Sequence, residues 1–69
     1  MPVITIETGN VSREKKQALI ERLTKASSEI LGIPEQSFVV LINEYEDDNI
    51  GTGGEVLTAV KARRMAAKG

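Results

Sequence analysis

The chain has 69 residues, a formal net charge of −1, and neither cysteine nor histidine. A chain of this length forms one domain at most, which we place over residues 1–69. The missing residue types exclude disulfides, His/Cys zinc sites, and the Ser-His-Asp and Cys-His catalytic arrangements. We expect neither a metal nor a cofactor. A domain this small, without those supports, is expected to gain stability by oligomerisation.

The first half of the chain predicts a strand followed by a long helix. The segment Pro2–Thr8 is rich in β-branched residues, which suit a pleated and packed surface. Gly9 and Asn10 are turn residues that end this strand. Ser12 is a good N-cap, and apolar residues recur on one helical face from Arg13 to Leu31. Gly32, with Pro34 after it, ends the helix.

The second half predicts another strand, a turn and an ambiguous tail. The apolar run within Ser37–Glu44 is typical of a strand covered on both faces. Strand, helix and strand together predict a β-α-β unit with parallel strands and a right-handed crossover. Gly51–Gly54 lacks the phosphate-loop pattern, and its glycines predict a tight turn with positive φ instead. The tail Glu55–Lys68 fits both a helix and an extended arm.

The predicted unit leaves much of its sheet uncovered. Two parallel strands and one helix expose one sheet face and both sheet edges, although the second strand is apolar on both faces. Edge-to-edge pairing of two copies gives a four-stranded sheet with two helices on one side. The other face still needs burial, so we expect a homo-oligomer larger than a dimer.

The charges are unevenly distributed. An acidic cluster and a basic tail are present: Glu44, Glu46, Asp47 and Asp48, and Lys61, Arg63, Arg64 and Lys68. The simpler interpretation is two solvated segments; the alternative is that the tail supplies cations to a neighbouring subunit's pocket. The net charge gives no nucleic-acid signal, so we expect no such partner, although binding through the tail is a third hypothesis. No apolar run approaches the roughly 20 residues of a membrane span, and no signal peptide is present. We expect no membrane association and a cytoplasmic location.

Four sequence motifs together resemble a known family. They are Met1-Pro2 before a short strand, SREKK at 12–16, SFVVLINE at 37–44 and NIGTGGE at 49–55. Over nearly the whole chain up to Glu55, the sequence resembles the 4-oxalocrotonate tautomerase family of small tautomerases. The resemblance implies an α/β (α+β) fold: a β-α-β subunit with parallel strands, a short glycine turn and a C-terminal arm or helix. Such subunits commonly assemble as hexamers, each a trimer of dimers.

The resemblance also implies a reaction and a catalytic residue. Pro2, exposed by removal of Met1, acts as the general base that interconverts the enol or dienol and keto forms of a small 2-hydroxy or 2-oxo acid. Physical chemistry agrees with this role. An α-amine has a pKa near about 8. Burial in an apolar pocket lowers that pKa, and a base with a pKa near the working pH is efficient.

Three positions depart from the best-known members of the family. Val11 and Val39 stand where those members place carboxylate-binding arginines, and Ile50 stands where they place an aromatic residue. We predict that these three residues line the pocket, as in a divergent branch of the family that lacks the arginines. A cation could still come from one of four residues: Arg13, Lys16, Arg63 or Arg64. The alternative function is a catalytically silent tautomerase-fold assembly module.

Overall fold

The computed structural model describes the backbone of residues 1–68 and the side chains of residues 1–66. The Lys68 side chain, the last charge of the predicted basic tail, and Gly69 therefore lie outside the described residues. In chain order the elements are β1 (Val3–Thr8), α1 (Arg13–Leu31), β2 (Val39–Glu44), β3 (Gly51–Thr52), β4 (Glu55–Val56) and α2 (Leu57–Lys68), with short 3-10 helices at Glu35–Ser37 and Asp47–Asn49.

The two long strands form a parallel pair, which confirms the predicted β-α-β unit. Their register runs from Val3 opposite Val39 to Thr8 opposite Glu44. Burial alternates along β1, so one sheet face is half-buried on the side of α1: Ile4 and Ile6 of β1, with Val40 and Ile42 of β2. The other face, which we call the open face, carries six residues: Val3, Thr5, Glu7, Val39, Leu41 and Asn43. Leu41 is 49% exposed there, so a single chain covers β2 on one face only.

The caps of α1 explain why its predicted boundaries are confirmed. The Ser12 hydroxyl accepts a hydrogen bond from the Lys15 N–H at 3.2 Å, satisfying one unpaired donor of the first turn. At the other end Gly32 adopts φ 68°, and its N–H donates to the Ser28 carbonyl at 2.9 Å. This left-handed position suits glycine because a side chain there costs conformational energy.

The strands start later than predicted. The predicted Ser37 start of β2 is wrong, because the Ser37 and Phe38 N–H groups donate to Pro34 and Glu35 carbonyls in a 3-10 helix instead of the strand ladder. The ladder begins only when the Val39 N–H reaches the Pro2 carbonyl at 3.0 Å. Pro2 itself precedes β1, which starts at Val3.

The glycine segment forms a hairpin whose turn is confirmed. Gly53 and Gly54 have φ of 59° and 83°, and they connect the antiparallel strands β3 and β4. Positive φ at both central residues is the signature of a type I′ turn. The tail then resolves as the two-residue strand β4 followed by the helix α2. At its start, the Leu57 N–H donates to the Ile50 carbonyl at 2.8 Å.

The single chain has a thin interior and an elongated shape. Among the side chains of residues 1–66, Val60 alone is buried, at 7% exposure. The radius of gyration is 16.3 Å and the extents are 47 × 23 × 20 Å. A compact chain of this length would have a radius near about 11 Å. Its accessible surface is 5410 Å², against roughly 4,250 Å² for a compact protein of this mass. No helix within residues 1–68 is both long and apolar enough to cross a bilayer.

Candidate functional site

Pro2 lies at the N-terminal end of the sheet, directly before β1. It is half-buried, and its carbonyl accepts the hydrogen bond from the Val39 N–H at 3.0 Å. The structure therefore brings Pro2 together with one of the three predicted pocket residues. Met1, by contrast, is 87% exposed, so its removal costs little packing. An amine at Pro2 would have Val3 and Val39 as its nearest apolar neighbours along the ladder, and such surroundings disfavour the protonated form.

The other two predicted pocket residues lie at the opposite end of the sheet. Val11 follows β1 and Ile50 follows the 3-10 helix after β2; both are half-buried. The six residues of β1 span about 20 Å. Within one chain, Pro2 and Val39 are thus separated from Val11 and Ile50 by the length of a strand. A pocket containing all four residues requires more than one copy of the chain.

A contact between Glu44 and Val11, which the sequence analysis did not predict, holds Val11 in position. The Glu44 carboxylate accepts the Val11 N–H at 2.9 Å and pairs with the Lys16 ammonium at the start of α1. The contact with Lys16 contributes most, and the bond from Val11 adds to it, in holding the pKa of the Glu44 carboxyl below its usual value. The alternation of side chains along β2 could have indicated this contact, because it places Glu44 on the same sheet face as Val40 and Ile42, on the side of α1.

Tyr45 and Glu7 form a second pair at this end of the sheet. The Tyr45 N–H donates to the Thr8 carbonyl at 3.0 Å, which extends the parallel ladder. Its hydroxyl donates to Glu7 Oε1 at 3.1 Å. The hydrogen bond to that carboxylate raises the pKa of Tyr45. Glu7 belongs to the open face, so the pair places a carboxylate and a phenol at the polar end of that surface.

Two of the four candidate cations are engaged within the chain. Lys16 pairs with Glu44, and Arg63 makes a bidentate contact with Glu55 at 2.5 and 3.1 Å, which raises the pKa of Arg63. Within the described residues, Arg13 and Arg64 form no ion pair. The acidic cluster and the basic tail are also partly joined, since Lys61 Nζ lies 3.1 Å from Asp47 Oδ1.

Two concave surfaces of the described residues lie away from Pro2 and Val39. A polar cavity of about 440 Å³ lies beyond the C-terminal ends of the strands, lined by Gly9, Asn10, Glu46, Asp47, Asp48, Thr58 and Lys61. An apolar groove of about 340 Å³ follows α1, lined by Val11, Lys15, Ala18, Leu19, Arg22 and Leu23. Within the part of the chain that the structure describes, no three acidic residues are placed to hold a metal ion. The candidate site is centred on Pro2, which the ladder places beside Val39 and the chain beside Val3.

Comparison with known proteins agrees with this fold. The sequence pattern of the family described as "Tautomerase enzyme" matches residues 2–60. A probable tautomerase of Bacillus cereus is 37% identical over 59 residues, covering 84% of this chain and 97% of the relative. A probable tautomerase of Helicobacter pylori is 39% identical over 59 residues, covering 80% of this chain and 87% of the relative.

A solved structure shows the same architecture. TomN, a 4-oxalocrotonate tautomerase homologue in the tomaymycin biosynthetic pathway, superposes with a TM-score of 0.84 at 29% identity. The match covers 88% of this chain and 95% of TomN. The family pattern spans both long strands, α1 and the glycine hairpin, and it begins at Pro2. The chain belongs to the tautomerase family, among the homologues of 4-oxalocrotonate tautomerase.

Proposed function

We propose that this protein is a keto–enol tautomerase in which Pro2, exposed by removal of Met1, is the general base. The observation that carries the proposal is the place of Pro2 in the fold. The Pro2 carbonyl accepts a hydrogen bond from the Val39 N–H of β2, Val3 follows it in the chain, and the Met1 side chain before it is exposed. The chain has no histidine or cysteine, so this amine is the group whose ordinary pKa lies nearest neutrality.

The proposed reaction needs one proton carrier. The neutral amine takes the proton from the 2-hydroxyl of an enol or dienol, and the enol electrons form the carbonyl as a carbon atom receives a proton from the ammonium. No proton is gained or lost overall, and the amine returns to its neutral form. Apolar neighbours favour that neutral form, because they disfavour the charged ammonium. A base with a pKa close to the working pH transfers protons efficiently in both directions.

The predicted pocket residues favour a substrate with little charge. Val11, Val39 and Ile50 offer no ionic partner for a second carboxylate, and burying an unpaired charge is costly. We therefore propose an enol acid with one carboxylate and an apolar substituent, of which phenylenolpyruvate is the test compound. Arg13 or Arg64 would supply the cation for that carboxylate, since Lys16 and Arg63 are engaged elsewhere.

The proposed enzyme is a homo-oligomer, and we propose the hexamer, a trimer of dimers. Two observations support an assembly: the elongated shape, and the strand length that separates Pro2 from Val11 and Ile50. Antiparallel, edge-to-edge pairing of two copies would bring the Val11 end of one sheet to the Pro2 end of the other. The cytoplasmic location stays a prediction.

The test compares two proline substitutions in the ketonisation of phenylenolpyruvate. Pro2→Ala keeps an α-amine but loses the ring that fixes the direction of the nitrogen lone pair, so kcat/KM should fall by part of the roughly 10²–10⁴-fold that a positioned base contributes. Pro34→Ala is the matched control, because Pro34 precedes the 3-10 helix at Glu35–Ser37, away from the N-terminus. It should leave the rate close to that of the parent protein. Equal rates for the parent protein and Pro2→Ala would refute the proposal.

The second candidate function is a catalytically silent assembly module. The apolar character of Val11, Val39 and Ile50 favours it, because the first two stand where the best-known members of the resembled family have arginines and the third stands where they have an aromatic residue. It predicts a stable oligomer in sedimentation with no turnover across a panel of 2-hydroxydienoates and enols. Turnover that depends on a free N-terminal Pro2 would exclude it.

A further inference from the structure

We infer that Glu44 excludes a second carboxylate from the substrate pocket and thereby determines which enol acids the protein accepts. The inference rests on the proposed function, which places Val11 in that pocket, and it deepens the proposal by naming the residue that sets the substrate's charge. Three features carry it: the donors around the Glu44 carboxylate, its pairing with Lys16, and the partial burial of both side chains beside Val11.

Two donors converge on one carboxylate at the start of α1. Glu44 Oε2 accepts the Val11 N–H at 2.9 Å, and Glu44 Oε1 pairs with the Lys16 ammonium. The Lys16 backbone is fixed as well, since its N–H donates to the Ser12 carbonyl at 3.0 Å in the first turn of the helix. The positive end of the α1 dipole lies at the same turn. These groups hold an anion, and the anion that occupies them is Glu44 of the same chain.

Glu44 makes these donors unavailable to a substrate. Each of its oxygens has its own donor, so the one carboxylate takes up both the Val11 N–H and the charge of Lys16. A substrate carboxylate arriving beside Val11 would have to displace Glu44 or lie against it, and two carboxylates in contact repel each other. The contact with Lys16, more than any other, lowers the pKa of the Glu44 carboxyl, so Glu44 is ionised at neutral pH and the repulsion operates there.

Partial burial strengthens this selection by charge. The Glu44 side chain is 26% exposed, the Lys16 side chain is 36% exposed, and Val11 is half-buried. Partly buried charges are screened by salt less than charges in open solvent. An apolar substituent beside Val11 needs no ionic partner, whereas a carboxylate there would lose water without gaining a cation. The pair therefore admits an apolar group at this position and rejects a charged one.

Replacing Glu44 with glutamine separates its charge from its geometry. Glutamine has nearly the shape of glutamate, and its amide oxygen can still accept the Val11 N–H, so Val11 keeps its position. The amide carries no charge, so the Lys16 ammonium becomes available to an external anion. The Glu44–Lys16 pair is neutral in the parent protein, positive in Glu44→Gln, negative in Lys16→Gln, and neutral again in the double variant. The inference therefore predicts an order among four proteins.

The test measures binding of two ligands that differ in one group. The first, trans,trans-muconate, is a six-carbon diene with a carboxylate at each end. The second, sorbate, is the same diene with one carboxylate and a methyl group. Calorimetry at pH 7 and fixed ionic strength gives the association constants of both ligands for the four proteins. The measured quantity is the ratio of the muconate constant to the sorbate constant, which cancels effects common to both ligands.

We expect Glu44→Gln to raise this ratio about fivefold, the upper value for a partly exposed ion pair. The double variant should return the ratio to that of the parent protein. Glu21→Gln is the matched control, because Glu21 is exposed on α1 and its loss changes the net charge equally; its ratio should stay at the parent value. An unchanged ratio or no muconate binding in Glu44→Gln would overturn the inference. A ratio still raised in the double variant would do the same, because another cation, such as Lys15, would then hold the carboxylate.

Lys16→Gln alone decides the question if Glu44→Gln does not fold. Glu44 then lacks its cation, so the ratio should fall below that of the parent protein, and an unchanged ratio would overturn the inference. Binding of these ligands requires no turnover, so a failure here is distinct from a failure of Pro2→Ala to lose activity. A ratio that follows the charge of the pair, beside equal rates for the parent protein and Pro2→Ala, would support Glu44 and refute only the proposed base.

Discussion

Replacing Gly54 with alanine tests the hairpin that orients α2, because its cost has a single source. Gly54 has φ 83°, and a Cβ built there meets no heavy atom within 4 Å. The substitution therefore causes no steric clash, and its cost is the backbone conformation alone, about 1–2 kcal/mol. For a domain of this size, each kcal/mol lowers Tm by about 4–8 °C. We expect Gly54→Ala to lower Tm by about 4–16 °C.

Two other glycines provide matched controls for this substitution. Gly53→Asn creates the Asn-Gly pair that type I′ turns prefer, so its stability should stay within about 0.5 kcal/mol of the parent. Gly9 has equally open space but no positive φ, and Gly9→Ala should stabilise by about 0.4–1 kcal/mol. Thermal and urea unfolding are compared at one protein concentration, because the proposed assembly would make stability concentration-dependent. Equal stability of Gly54→Ala and Gly9→Ala would refute the conformational explanation.

Three further predictions concern the polar contacts. The folded-state pKa of Glu44 is below its usual 4.5, so its stabilisation is present above about pH 4.5 and is lost as the pH falls through the lower folded value. The urea midpoint of Glu44→Gln should therefore change less than that of the parent between pH 6 and 3, and parallel curves would contradict the Glu44 contacts. Tyr45 is the single tyrosine, and Glu7→Gln should move its spectrophotometric titration down toward pH 10; an unmoved titration would rule out the pair. Ser28→Ala loses a hydrogen bond of 2.6 Å to a carbonyl and should cost about 1 kcal/mol in urea unfolding, with Ser27→Ala as the control that costs less.

Local signals in the sequence were sufficient for the main elements. Ser12 and Gly32 bound α1 where predicted, because capping depends on residues within one turn of the helix end. The glycine turn was predictable for the same reason, since positive φ favours glycine. The start of β2 was not, because Ser37 satisfies its N–H in a 3-10 helix that no apolar pattern signals. The sequence left the tail between helix and arm, and the structure resolves it as the helix α2, whose Val60 is buried by tertiary packing that no local pattern signals.

The candidate site was predictable only in part, because its residues lie at two ends of the sheet. The resemblance identified Pro2, and the register of the strands places Val39 beside it. Val11 and Ile50 lie a strand length from Pro2. The family resemblance assigned all of these residues to one pocket and carried no information on the distance between them. Glu44 was counted in an acidic cluster, although its carboxylate serves the start of α1 instead. In the proposed assembly, the cation that meets the substrate's carboxylate would be set by how several copies pack, which is a contact between residues of different chains.

The state of the N-terminus tests the central claim, that the Pro2 amine is the base. Intact mass and phenylenolpyruvate turnover are measured on the same preparation, beside a second one that keeps an extra residue before Pro2. We predict that the active protein is lighter than the encoded chain by one methionine, and that the extended protein has no turnover, because its proline nitrogen is an amide. Equal turnover in both preparations, or an active preparation in which every molecule retains Met1, would contradict the claim.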